Sequence, residues 1–185
     1  MKKRKRLPPI RKNTVSLLRV RSRPGAPSRG WLRAGPQAVP VALGRAGIRA
    51  NKREGDGGTP RGRFRLMRLW WRADRWPRPR TLLPARRIRP DDAWCEDAKD
   101  RNYNRPIKRP RHSTADRLMR DDRLYDFIVE LDHNTRPRIA GRGSAVFVHV
   151  AREKFAPTAG CIALEHRTLH RLLARLGPKT RIDIR

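Results

Sequence analysis

Acidic residues are scarce in this sequence: 17 Asp and Glu stand against 47 Lys and Arg among 185 residues, a formal charge of +30. Such a field draws polyanions of any kind. Lysine is scarce too, at nine of the basic residues. An arginine excess that reaches into turns, as at Arg61, Arg63 and Arg80, reads as compositional bias rather than a sculpted patch. Aromatics make up only 6%, and no helix-turn-helix, zinc-finger or RNP-like pattern is present to turn charge into base readout. What the charge predicts is non-specific polyanion binding at low salt. The only cysteines, Cys95 and Cys161, lie 66 residues apart, which excludes a disulfide scaffold and a zinc site but leaves one disulfide open. No apolar run is long enough to span a membrane. The start is basic, and Pro8, Pro9, Arg11 and Lys12 then stand where an apolar stretch would follow, so no export signal is recognisable.

The length is that of one ordinary domain. The basic, proline-containing residues 1–13 predict a disordered arm, leaving residues 14–185 as the folded unit. Apolar runs bounded by Pro and Gly predict strands over residues 15–20 and 38–43, and a looser alternation with arginines predicts another over 64–71. Residues 44–62 read as loop. Residues 72–122 are dominated by Arg, Pro and Asp, with Trp76, Trp94 and Tyr103 as isolated aromatics, and read as either a functional cover or a long loop-rich insertion rather than a simple connection. Over residues 124–131, Tyr125, Phe127, Val129 and Leu131 alternate with Asp126 and Glu130, the pattern of a half-buried strand. Residues 144–150 are mostly apolar on both faces, as in a central strand. Leu169, Leu172, Leu173 and Leu176 recur at helical spacing ahead of Gly177-Pro178, predicting an amphipathic helix over residues 166–176. Ile182 and Ile184 predict a last short strand. The class expected is mostly β with one late helix.

The strand at residues 144–150 puts Ala145, Phe147 and His149 on one face and carries His149 to its end. Twelve residues on comes Cys161, within Thr158-Ala159-Gly160-Cys161-Ile162. A free cysteine is usually a small buried hydrophobe, and a lone histidine is usually a satisfied core residue. On two sides of one loop, however, they form a nucleophile and its base, because the thiolate rather than the thiol attacks a carbonyl carbon. Gly160 lets the backbone pass close to a substrate, and an N–H near Cys161 is placed to face a developing oxyanion.

These residues resemble the active-site pattern of the L,D-transpeptidase (YkuD-type) catalytic domain, in which a His precedes a Ser/Thr-His-Gly-Cys-hydrophobic element. Upstream, Gly44 followed by Lys52-Arg53-Glu54-Gly55-Asp56-Gly57-Gly58-Thr59-Pro60-Arg61-Gly62-Arg63-Phe64 is similar to that family's glycine and D-x-x-T-P-x-G-x-F segment. The likeness covers roughly residues 15–185. It implies a YkuD-like β-sandwich with Cys161 as nucleophile, His149 as general base, Gly160 contributing backbone at the oxyanion, and Thr158 at the Ser/Thr position beside the substrate. In the upstream segment the glycines and Pro60 shape a turn, Asp56 caps it and Phe64 enters the core. Ala159 stands where the family has His, Ala163 where Asn or Arg follows, and the loop between His149 and Cys161 is shorter than usual. Arg142 and Arg152 are the candidates to hold a substrate carboxylate in their place. Tyr103 and Asn104 are candidates to line the cleft, with a structural role the stronger expectation, Cys95 reads as a bystander or core residue, and His112, His133, His166 and His170 read as loop or helix-surface residues.

The resemblance implies acyl transfer on peptidoglycan stem peptides through a Cys161 thioester. Capture by an amine gives a cross-link, capture by water an L,D-carboxypeptidase, and neither requires a metal or organic cofactor. It also implies the cell envelope as the place of work, against the missing export signal. The rival reading is a non-catalytic basic module on nucleic acid or an anionic wall polymer.

Overall fold

A computed structural model of the chain describes residues 14–108 and 115–185; the arm expected over residues 1–13, and His112, lie outside the described residues. The fold opens with a meander, β1 (Leu17–Arg23), β2 (Ala26–Ala34) and β3 (Gln37–Ala42). Leu18 and Val20 of β1 turn inward and Arg19 and Arg21 outward. Strand β2 is absent from the expectations above because its buried positions are Gly30, Leu32 and Ala34, too small a set to register as apolar alternation. Within the stretch read as loop, β4 (Ile48–Arg49) pairs in parallel with β5 (Thr59–Pro60). The long strand β6 (Gly62–Trp71) follows.

Residues 72–122 are more ordered than their composition suggests. They contain β7 (Ala85–Arg87), β8 (Asp92–Trp94), β9 (Pro106–Lys108) and β10 (Asp116–Arg117). β7 pairs with β6, and the other three form a small sheet in the order β10-β8-β9. Runs of two or three residues are too short to show a period. They are held by side chains: the buried Asp92 pairs with Arg86 at 3.0 Å and Lys108 at 3.1 Å.

β11 (Phe127–Leu131), β12 (Phe147–Val150), β13 (Ile162–Leu164), helix α1 (His166–Leu173) and β14 (Arg181–Ile184) complete the chain. Among the described residues the main sheet runs β11-β12-β13-β3-β2-β1-β14-β6, and β6 pairs with β11 as well as β14, so it closes as a mixed eight-stranded barrel. Where a sandwich was expected, one sheet is rolled on itself. The first residues of β6 pair with β14 and its later residues with β11, and this joins what would have been two layers. Glu165 caps α1 by accepting the N–H groups of Arg167 and Thr168. The helix lays Leu169, Leu172 and Leu173 on the barrel core, which also holds Val148, Val150, Ile162 and Leu164.

A second apolar cluster lies outside the barrel. Trp70, Ile128 and Phe147, on β6, β11 and β12, are enclosed by Ile88, Trp94 and Leu118 of the insertion. Trp94 meets Phe147 edge-on at 5.0 Å between ring centroids and Trp70 at 6.5 Å. The cover buries β11 on both faces, where alternation suggested one. Glu130 tolerates this by accepting the Trp70 indole N–H at 3.0 Å and pairing with Arg68 at 3.0 Å.

Candidate active site

β12 and β13 are parallel neighbours, with Val148 opposite Ile162 and His149 opposite Ala163. Side chains alternate along a strand. Because Val148, Val150, Ile162 and Leu164 point into the barrel, His149 and Cys161 share its outer face, under the insertion. Both line a cavity of about 510 Å³.

His149 is buried, and its Nδ1 lies 2.8 Å from the Val150 carbonyl oxygen. A carbonyl only accepts, so Nδ1 carries the hydrogen and Nε2 keeps a free lone pair. Burial pushes the imidazole pKa down to about 4, more than the Val150 bond raises it. Cys161 Sγ donates to the Ala145 carbonyl at 3.1 Å and accepts from the Phe147 N–H at 3.4 Å. Enclosure of the sulfur pushes the thiol up to about 12. The resting pair is therefore a neutral thiol and a neutral imidazole, each held by backbone.

The turn before Cys161 is built by the two motif halves together. The Thr158 hydroxyl accepts the Gly160 N–H at 3.1 Å and donates to the Cys161 carbonyl at 2.8 Å. The Thr158 N–H donates to the Leu43 carbonyl and its carbonyl accepts the Arg45 N–H. Thr59, from the upstream segment, accepts the Gly44 N–H at 2.8 Å and donates to the Cys161 carbonyl at 3.4 Å. Gly160 has φ +148°, and a Cβ there would stand 2.8 Å from the Gly58 carbonyl oxygen. A Cβ at Gly44 would meet the Gly57 oxygen at 2.2 Å. Both positions are close backbone crossings that only glycine permits. The Gly160 N–H would have to leave Thr158 before it could serve an oxyanion.

Asp56 caps its loop, accepting from the Arg53 and Gly58 N–H groups at 2.8 and 2.7 Å. Although burial opposes it, these bonds and the Lys52 ammonium hold its pKa below the usual value. Phe64 packs half-buried against the core. Arg152 lines the cavity; Arg142 is exposed and is not part of that lining. Ala163 sets only a methyl beside His149. Both cysteines are free, and Cys95 is buried. His133, half-buried, meets Phe64 edge-on and the Arg142 carbonyl. His166 and His170 pack against Trp76 and Phe127.

Several cavity residues escaped the sequence reading. Lys52 is 7% exposed, with Nζ bonded to Asp56 Oδ1 at 2.6 Å and the Arg53 carbonyl at 2.5 Å. Its Cε lies 3.5 Å from where a Cβ of Gly160 would stand. Glu54 Oε2 accepts from Tyr103 and Ser144, and Asp116 accepts the Tyr125 hydroxyl at 2.8 Å. Burial raises the Asp116 pKa against the lowering effects of Tyr125 and Arg120. Asn104 of the insertion accepts the Ala145 N–H at 3.2 Å and the Trp94 indole N–H at 3.0 Å. Lys52 and Glu54 stand just ahead of Asp56, within the quoted stretch; Asp116 and Tyr125 arrive at the cavity only through tertiary folding, and Asn104 is not part of the lining but acts through Ala145.

A thiol and an oriented imidazole on adjacent parallel strands, opening on one polar cavity, have the layout of thiol-based acyl-transfer sites. The family model of the L,D-transpeptidase catalytic domain (YkuD) matches residues 28–184, and the chain belongs to that family of cysteine-dependent L,D-transpeptidases. No match was found among curated proteins or solved structures. The family implies peptidoglycan peptides as substrates. Among the described residues no helix is long and apolar enough to cross a membrane.

Proposed function

We propose that the protein is an L,D-transpeptidase that transfers an acyl group between peptidoglycan stem peptides through a Cys161 thioester. The observation that carries this is the placement of Cys161 and His149 on one face of β12 and β13, in one cavity, with the Nε2 lone pair of His149 left free by the Val150 bond.

With both groups neutral at rest, the proton moves when substrate arrives. His149 Nε2 takes the Cys161 proton as sulfur bonds to the carbonyl carbon of an L-configured residue. The tetrahedral intermediate collapses with cleavage of the peptide bond, and His149 returns the proton to the departing amine of a terminal D-amino acid. An amine on a neighbouring stem then attacks the thioester, loses its proton to His149 and expels the thiol, forming a cross-link. Water in place of that amine gives an L,D-carboxypeptidase. Lys52, a buried cation beside Gly160, stabilises negative charge developing at Cys161. Thr158 keeps the turn in shape, and Arg152 is the arginine placed to meet a substrate carboxylate.

Mass spectrometry of the purified protein with a disaccharide tetrapeptide tests the reading: an acyl adduct on Cys161 with loss of one D-amino acid is expected. No adduct, with the peptide intact, leaves the non-catalytic module as the better account.

A further inference from the structure

Compositional bias alone is a poor account of the charge, because its two signs are segregated. None of the 17 acidic residues falls in residues 1–53, which carry 16 Lys and Arg, while nine acids fall between Asp74 and Asp122. The barrel turns this asymmetry into a face. On the outer side of β2, β1, β14 and β6, Arg33 lies opposite Arg19, Arg19 opposite Asp183, and Asp183 opposite Arg63. One row along, Trp31 lies opposite Arg21. The single acid of this wall, Asp183, is 4% exposed and covered by Arg21 at 3.4 Å and Arg185 at 3.2 Å. Trp31 stands 47% exposed on β2, between Arg29 and Arg33 along the strand and beside Arg21. In the ring of eight strands β1 is four places from β12, so the cationic wall lies on the opposite side of the barrel from the Cys161 cavity.

We propose that this wall docks on the surface of an anionic phospholipid bilayer and leaves the catalytic cavity facing away from the lipid. The array is two-dimensional, spaced about 4.8 Å between strands and about 6.8 Å between like-facing residues on one strand. Such a lattice matches a sheet of phosphate headgroups; a linear polyanion calls for one stripe or groove. A lone exposed tryptophan amid arginines suits the water–lipid interface, where its ring is apolar and its N–H wet. Single-stranded nucleic acid is instead held by successive aromatic platforms, and this wall offers one. The proposal does not depend on Cys161 being reactive.

The test is cosedimentation of the full chain with vesicles of phosphatidylglycerol and phosphatidylcholine, compared with phosphatidylcholine alone. Binding to the anionic vesicles only, weakened by high salt, is expected. The triple variant Arg19→Glu, Arg33→Glu, Arg63→Glu should weaken binding by about tenfold or more. Arg87→Glu, Arg89→Glu, Arg101→Glu changes net charge equally on exposed residues of the insertion and should leave binding within about twofold, since charges beyond a Debye length of about 8 Å contribute little. Circular dichroism establishes that both variants are folded. Trp31 emission should shift to the blue on vesicles, a shift absent in Trp31→Phe. Equal losses in the two triple variants would show that net charge alone binds, and single-stranded DNA displacing the vesicles at equal phosphate would make nucleic acid the partner. Either result, or no binding to anionic vesicles, overturns the proposal.

Discussion

The barrel presents two contrasting outer walls. On β1, β2 and β14 the outward positions are mostly exposed arginines, with the exposed Trp31 and one acid, Asp183, covered by Arg21 and Arg185. On β6, β11 and β12 they are Trp70, Ile128 and Phe147, enclosed beneath the insertion. The inner faces of both walls belong to one core. A barrel wall therefore has an outer face that is free to differ at little cost to the fold, and in this chain Cys161 and His149 sit where that face is covered. Burial there keeps both the thiol and the imidazole neutral at rest.

The largest effect expected belongs to the covered wall. Cys161→Ala should abolish the acyl adduct and lower release of the D-amino acid by about a thousandfold or more, and His149→Gln should cost about a hundredfold or more, with vesicle binding unchanged in each. Any parallel loss of vesicle binding would break the separation of the two walls.

Trp94→Ala should lower stability by about 3–5 kcal/mol in denaturant titration, because Trp94 is 3% exposed and packs on Trp70 and Phe147. On the bare wall Trp31→Ala should stay within about 0.5 kcal/mol. Comparable losses would mean that the bare wall is not bare.

The buried imidazole predicts a pH dependence of comparable size. The folded pKa of His149, about 4, lies below its ordinary 6.5, so the unfolded chain binds the proton more tightly and acid favours unfolding. The contribution, about 3 kcal/mol, is whole above pH 6.5 and drains away as pH falls toward 4. Urea midpoints across that range should show the slope in the wild type and lose most of it in His149→Gln.

The smallest effect concerns Lys52. Lys52→Met should slow Cys161 acylation by about tenfold and raise the pH at which iodoacetamide alkylates Cys161, while Lys52→Arg, which keeps the charge, should recover part of the rate. A rate loss with an unmoved alkylation profile in Lys52→Met would reduce Lys52 to a packing residue.

The walls also differ in how legible they were in sequence. Strands with bulky inward residues, such as β12 and β6, show in apolar runs, and helix α1 shows in its leucine spacing. β2 hides behind Gly30 and Ala34, and three-residue strands such as β8 and β13 hold no period at all. Closure of the barrel rests on β6 meeting β11 across some sixty residues, a pairing that local pattern does not encode. In the site, the Gly-Cys turn and His149 were readable because they are contiguous motifs. Lys52 stood inside a quoted motif but its charge looked like one of many, and Asp116 reaches the cavity only because the insertion folds over it.

Asn104 gives the cover a second meaning. It holds the N–H of Ala145, a residue at φ +50°, whose carbonyl receives the Cys161 thiol. The latch that keeps the sulfur's hydrogen is therefore fastened from above, through a side chain of the insertion, and the Cys161 thiol and its roof form one mechanical unit. A displacement of the roof would be transmitted to the sulfur through a single residue, Ala145.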